Sequence, residues 1–260
     1  MPKRKPEPDD IEADFDLAGD SLTEDETPVH TPPPNDNRFD VSILMPAYNA
    51  TKTIVKAMRS VQEGQGDLNV ELLIANDAST DSTGNKADSA DDVLDMRENS
   101  GPAACLNALI PRIRGRYVMT LEADDWLEPD SLAALVAALD EGADFAYGWT
   151  QYHGLENNLH RPRAPHKDEH FYQRFESLYA VMFRRECLGK CRWHTFAAGY
   201  GMHDYDFTLQ LIEAGFQGVA VPQLVLHYDY QLSGLAHEMK PRIADYRAEL
   251  RERHPKLVLR

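Results

Sequence analysis

The chain has 260 residues, 42% of them hydrophobic, which is enough for a packed core and excludes disorder throughout. Lys and Arg number 27 against 43 Asp and Glu, a formal charge of −16. That excess argues against a general binder of nucleic acid or anionic membranes, since either needs a basic face.

Residues 1–37 carry three basic and eleven acidic side chains, a net −8, together with seven prolines. Such a stretch cannot bury enough apolar surface to offset chain entropy and reads as a disordered tail. Within it Ile11, Phe15 and Leu17 form a small apolar island, able to dock on a partner or simply to ride in a solubilising tail. The N-terminus lacks an apolar signal-peptide core, and no apolar run approaches the roughly 18 residues of a membrane span. With three cysteines (Cys105, Cys187 and Cys191), an odd count, the expectation is reduced thiols and a cytoplasmic location.

From Arg38 the pattern changes. Val41–Met45, closed by Pro46, reads as a buried strand. Ile54, Val55, Met58 and Val61 then recur at helical spacing. Val70–Ala75 is a second strand ending in the polar loop Asn76–Asp81, and residues 102–110 read as a helix. Tyr117–Leu121 is a third strand, ending in Glu122-Ala123-Asp124-Asp125. A helix over 129–140 and a strand over Asp144–Gly148 follow. Alternation of this kind predicts an α/β fold, a mostly parallel sheet covered on both faces. Residues 38–240 form one domain in this reading, and 241–260 a charged C-terminal helix with Tyr246 and Leu250 on a default solvated, amphipathic surface.

Ligands of such sheets bind outside the carboxyl ends of the strands. Three distinctive loops meet there: Pro46-Ala47-Tyr48-Asn49, Asn76-Asp77, and Glu122 to Asp125. No G-x-G-x-x-G follows the first strand and no G-x-x-x-x-G-K-[ST] occurs, so dinucleotide and P-loop readings are weak. Clustered carboxylates raise one another's pKa, and a hard divalent cation resolves the crowding. The plainer alternative is a solvated acidic turn.

Five pieces occur in order: Val41–Asn49, Asn76–Asp81, Asn99-Ser100-Gly101 with Leu106-Asn107, Gly115-Arg116-Tyr117, and Leu121–Asp130. Together they resemble family 2 glycosyltransferases, enzymes of GT-A fold that use nucleotide-diphosphate sugars. The resemblance covers about Val41 to Ser233. It implies that Pro46, Ala47 and Tyr48 frame the nucleoside of a UDP-sugar and that Asp77 reads the base. It implies that Glu122 lies near the ribose or the metal shell, that Ala123 belongs to the nucleotide site, and that Asp124 binds Mn²⁺ or Mg²⁺ on the donor diphosphate. Glu122 stands where the family usually has Asp, and Asn76 replaces a common acid.

Gly201–Gly215 reads as an amphipathic helix with Gly215 as its stop. Asp204 at its start suits a first-turn acid on composition alone. The resemblance implies instead the general base of an inverting transfer, with His203 in place of the family's Glu. A cation there is expected to lower the pKa of Asp204 and weaken it as a base. Asp206 is expected to support structure. His227, in a closing loop that keeps the family pattern only in part, is a candidate extra metal or phosphate contact or a strand-end histidine.

Residues 151–175 hold His153, His160, Arg161, Arg163, His166, Lys167 and His170, a basic stretch that suits an anionic acceptor or a solvated loop. Cys187, Cys191 and His194 lack an evident fourth zinc ligand and read as free thiols beside a histidine. Rival readings are a nucleotide-sugar-binding scaffold with impaired catalysis, motivated by Glu122 and His203, and a nucleotidyltransferase, disfavoured by the missing Gly-rich basic loop. A nucleic-acid acceptor is disfavoured by charge.

Overall fold

Val41, Ile43 and Met45 pack to one side of the first strand and Leu44 to the other, and all four are fully buried. A strand covered on both faces has no need of polar alternation, which is why the sequence there is a continuous apolar run. The computed structural model describes residues 38–162, 178–231 and 235–257. The acidic tail with its apolar island lies outside them, as do Arg163, Pro165, His166, Lys167 and His170 of the basic stretch.

Strands β1 (Phe39–Ala47), β2 (Val70–Asn76), β3 (Asp92–Asp95) and β4 (Gly115–Thr120) run parallel in the order β3-β2-β1-β4. The chain leaves β1 on one side for β2 and β3, then returns to its other side for β4. Register pairs Ala47 with Asn76 and Leu44 with Thr120, so these strands end at one edge. Helix α1 (Ile54–Gly64) and α4 (Ser131–Asp140) cover one face, and α3 (Pro102–Leu109) and α5 (His203–Glu213) cover the other. A short α2 (Thr83–Ala87) follows β2.

Beyond β4 the sheet becomes mixed. β8 (Val181–Arg184) inserts antiparallel between β4 and β6 (Phe145–Gly154), β9 (Gly218–Tyr230) runs parallel to β6, and β5 (Trp126–Leu127) pairs antiparallel with β9. β7 (Leu159–His160) pairs with β6. The α/β architecture and both-face burial are as expected; the antiparallel neighbours come from segments too short or too polar to carry a period. Val55, counted with the apolar stripe of α1, is 45% exposed, while Ala57 takes the buried position instead.

The C-terminal helix differs from a solvated surface element. α6 (Leu235–Met239) leads to α7 (Ile243–Arg253), whose Tyr246 and Leu250 are buried in the same core cluster as α5 residues Phe207 and Leu211. Asp206 on α5 is fully buried and accepts from Arg253 Nε at 2.7 Å, His254 Nε2 at 2.9 Å and Gln210 Nε2 at 2.6 Å. The structural part expected of Asp206 is thus met by a specific clamp to α7. Cys105, Cys187 and Cys191 are buried free thiols, and His194 pairs with Glu249 at 2.7 Å.

Candidate active site

β4 ends at Thr120, and the following turn is latched from both sides. Leu121 donates its backbone N–H to Leu44 O at 3.0 Å, and Asp229 of β9 donates its own to Asp125 Oδ1 at 2.8 Å. Glu128 N–H reaches Val225 O at 2.9 Å. The latch divides the acids by role. Asp125 is 3% exposed and acts as an internal strut, whereas Glu122 is half-buried and Asp124 faces the open side of the cleft. Ala123 is buried between them.

Crowding shows in the proton affinities. Desolvation, then Glu122 and Asp229, push Asp124 up to about 6. Burial and then Asp124 raise Asp125 well above the carboxylate range. Neither shift would survive a cation bound among them, since a positive charge favours the ionised form.

α5 begins directly across the cleft. Met202 precedes it in a left-handed conformation (φ 63°), which turns His203 and Asp204 into the site. His203 is 5% exposed, and its Nδ1 lies 3.2 Å from Tyr200 O. Its Nε2 lies 3.5 Å from Glu122 Oε1 and 3.4 Å from Asp204 Oδ1. Burial works against charge on this ring, yet the Asp204 and Glu122 carboxylates outweigh it and raise His203 to about 9. Asp204 is raised as well: desolvation exceeds the lowering by His203, and Glu122 adds to it. His203 therefore does not leave Asp204 a weaker base than an ordinary carboxylate. The cleft continues along Tyr179, Met202, Tyr228, Asp229, Tyr230 and Met239.

The loops after β1 and β2 clasp each other. Asp77 N–H donates to Ala47 O at 2.8 Å, Asn49 N–H to Ser79 Oγ at 3.1 Å, and Thr80 N–H to Asn49 Oδ1 at 2.9 Å. Pro46 and Ala47 are buried, while Tyr48 is 50% exposed and presents its ring beside them. Asp77 is 3% exposed, and its two oxygens accept the N–H groups of Ser100 and Gly101, each at 2.8 Å. Its observed work is to hold the loop that opens α3. Asn76, beside it, is only half-buried and donates to Asp95 Oδ1 at 2.8 Å.

The structure brings Glu122, Asp124 and Asp204 to one cleft and does not bring His227 into it. His227 Nδ1 lies 3.0 Å from His153 Nε2, and its Nε2 lies 2.6 Å from Glu128 Oε2. Its ring stacks on Trp126, and it lines a separate cleft with Lys56 and Arg59. Both nitrogens are engaged, so His227 is no free metal ligand here. In the sequence His203 stands only as a departure from the family motif; its proximity to Glu122 comes from the fold alone.

The Glycosyl transferase family 2 sequence model matches residues 42–198. Succinoglycan biosynthesis protein ExoO of Rhizobium meliloti is 33% identical over 120 residues, 44% of this chain and 34% of that protein. The Bacillus subtilis protein TuaG, named for teichuronic acid biosynthesis, is 27% identical over 201 residues, 72% of this chain and 78% of its own. Among solved structures, S. aureus TarS 1-349 superposes with a TM-score of 0.60 at 15% identity over 80% of this chain and 64% of that one. The mannosyltransferase PcManGT from Pyrobaculum calidifontis, solved with GDP-Man and Mn²⁺, gives 0.63 at 16% identity, over 85% and 69%. The chain thus spans about a third of ExoO and just under two thirds of the TarS structure. The structural likenesses establish the GT-A fold. No helix among the described residues is long and apolar enough to cross a membrane.

Proposed function

The chain belongs to glycosyl transferase family 2, and from that premise we propose that it transfers a sugar, with inversion, from a UDP-sugar to an acceptor hydroxyl. The observation that carries this reading is that Asp204 opens α5 in one cleft with Glu122 and Asp124 at the end of β4. Relatives support the donor class: one TarS structure holds UDP-GlcNAc, and WfgD of Escherichia coli, 33% identical over 123 residues, is named a UDP-Glc transferase.

In this reading Asp204 takes the acceptor hydroxyl proton. The acceptor oxygen bonds to the anomeric carbon as the bond from that carbon to the diphosphate breaks on the opposite face. A carboxylate of raised proton affinity is better matched to that task near neutral pH than an ordinary one. Pro46, Ala47 and the exposed Tyr48 frame the nucleoside. Asp77 serves the base through the loop that it holds, and Ala123 lets the chain lie close to the ribose.

The residues fit a divalent cation. Glu122 Oε1 is buried without a hydrogen-bond partner, and Asp124 is crowded by Glu122 and Asp229. Asp124 would hold Mn²⁺ or Mg²⁺ with Glu122 close by, and such an ion supplies positive charge to the departing diphosphate. Residues 38–240 are the catalytic domain, and α7 is its structural complement.

The test is Asp204→Asn assayed over a panel of nucleotide sugars with Mn²⁺. Retained donor binding with lost transfer supports the reading, whereas normal turnover removes Asp204 from the chemistry.

A further inference from the structure

We propose that Tyr200 is a positioning residue, which couples the loop that Asp77 holds to the base Asp204 by way of His203. The proposal rests on the reading of Asp204 as base and adds a link between it and the nucleoside side of the cleft.

The side chain of Tyr200 points toward the nucleoside loops. Its ring covers Gly101, where a Cβ would fall 2.3 Å from Cδ1 and 2.7 Å from Cγ and Cε1. Gly101 has φ 83°, a conformation that favours glycine, and its N–H goes to Asp77 Oδ2 at 2.8 Å. Tyr200 Oη donates to Asn99 O at 3.4 Å, two residues earlier in the same loop. The loop cannot shift without displacing the ring.

The backbone of Tyr200 serves the other side. Its carbonyl lies 3.2 Å from His203 Nδ1. Burial opposes charge on His203, but Asp204 and Glu122 prevail and raise it to about 9, so the ring is an imidazolium near neutral pH. A doubly protonated ring donates from both nitrogens. Nδ1 goes to the Tyr200 carbonyl, and Nε2 pairs with Glu122 at 3.5 Å and Asp204 at 3.4 Å. The carbonyl thus sets the angle at which the imidazolium meets the base.

The strap around Tyr200 is held in place from behind. A Cβ on Gly199 would fall 2.7 Å from Tyr246 Oη, and Gly201 donates its N–H to the same hydroxyl at 3.1 Å. Gly199 has φ 136° and Met202 has φ 63°, so left-handed residues bracket Tyr200 on both sides. Backbone strain of this kind persists where the surroundings over-determine it, and it clusters at functional sites. Tyr200 itself keeps 38% of its surface exposed and contributes little to the core. A side chain so little buried, yet touching one loop with its ring and the start of α5 with its carbonyl, fits a link better than a packing element.

The path from Asp77 to Asp204 is therefore continuous: carboxylate to Gly101 N–H, Gly101 to the Tyr200 ring, Tyr200 carbonyl to His203, His203 to Asp204. A nucleoside that settles the loop against Asp77 settles the turn that carries the base. Contiguity gives the route, and a cycle of variants measures the coupling.

The experiment follows the imidazole signal of His203 in the full chain labelled with ¹³C-histidine, assigned by its absence in His203→Gln. Gly101→Ala sets a methyl against the Tyr200 ring and is expected to move that signal in the ligand-free chain. In a Tyr200→Ala background, where the space is open, the same change is expected to leave the signal still. A Tyr200→Phe background is expected to behave as the parent. Uridine is then added, which carries base and ribose but no phosphate and so brings neither charge nor metal beside Glu122. It is expected to shift the His203 signal in the parent and in Tyr200→Phe, and to lose that effect in Tyr200→Ala. With the nucleotide sugar that the donor panel selects, Tyr200→Ala lowers kcat by about tenfold or more with donor KM kept, and Tyr200→Phe restores it. Circular dichroism accompanies each variant, and Tyr200→Ser takes the place of Tyr200→Ala if the latter does not fold. A His203 signal that ignores Gly101→Ala, or that moves equally without the ring, overturns the proposal. A signal that answers Gly101→Ala in a chain that binds no uridine upholds the link and removes the uridine-nucleotide reading instead.

Discussion

Arg253 closes on Asp206 with Nε to Oδ1 at 2.7 Å and Nη2 to Oδ2 at 3.2 Å, a two-pronged pair between the last turn of α7 and the first turn of α5. Asp204 lies two residues away on the same turn. The helix that presents the proposed base is therefore held from behind by the C-terminal helix.

Replacing Asp206 by Ala leaves Arg253, His254 and Gln210 facing an empty buried position. Loss of one partner of a buried charge pair costs about 3–5 kcal/mol. Arg253→Ala leaves two of the three donors in place and costs about 1 kcal/mol. Urea midpoints at fixed pH check both values; equal, small shifts would show that the clamp contributes little.

The same clamp fixes a pH dependence. His254 is raised above an ordinary imidazole: burial opposes its charge, but hydrogen bonds to Asp206 and Glu213 prevail. Its contribution is therefore fully present below the unfolded value of about 6.5 and is lost as pH rises through the folded value. Asp206 is lowered: burial opposes its charge, but His254 and Arg253 outweigh it. Its share is present above about 3.8 and is lost as pH falls through the depressed value. The charged groups facing His254 are Asp206, Glu213 and, through Asp206, Arg253. Melting temperatures from pH 5 to 9 are expected to fall on the alkaline side, and His254→Gln to flatten that limb relative to the parent.

Asp124→Ala is expected to abolish metal-dependent donor hydrolysis and transfer. Asp204→Asn is expected to lower kcat by about 10²–10⁴-fold with donor affinity kept. Initial rates with and without Mn²⁺, paired with a thermal-shift titration of UDP, separate the two effects. Full activity of Asp124→Ala after metal removal would exclude the cation from that position.

Gly101 has φ 83°, and a Cβ there would fall 2.3 Å from Tyr200 Cδ1. Its N–H also donates to Asp77 at 2.8 Å. Gly101→Ala should cost about 1–3 kcal/mol through backbone strain and weaken donor binding by loosening the Asp77 cradle. Unchanged UDP affinity in this variant would detach Asp77 from donor recognition.

Arg161 stacks over Trp149, its guanidinium 4.9 Å from the ring centroid, within the described part of the basic stretch. If that stretch serves an anionic acceptor, deleting residues 157–168 raises acceptor KM and leaves donor hydrolysis unchanged. Unaltered acceptor kinetics would assign the stretch to plain surface.

What could be read directly from the chain follows from periodicity. β1, β2 and β4 are apolar runs because both faces are covered, and their polar ends mark the site edge. β3 is acidic at both ends, β5 has two residues, and β8 owes its position to strands far away in sequence. None carries a local signal. The site divides the same way. Asp124 and Asp204, the proposed metal ligand and base, stand out in the chain by motif and by their place at a strand end and a helix start, and they line one cleft. The meeting of His203 with Glu122, the two loop N–H groups on Asp77, and the closure of His227 by His153 and Glu128 depend on tertiary packing. The docking of α7 was hidden because Tyr246 and Leu250 are its only fully buried residues in a charged helix, with Ile243 packed partly buried beside them.

The latch on the acidic turn has a consequence for biosynthesis. Asp125 is held by Asp229 N–H, Glu128 by Val225 O, and Trp126-Leu127 by pairing with Leu226 and His227. All of these partners belong to β9, about a hundred residues downstream. On the ribosome the sheet β3-β2-β1-β4 can begin to pair while the turn it leads into still lacks its counterpart. The carboxylates reach their final spacing only after β9 has left the exit tunnel, so a nascent chain has a scaffold before it has a site.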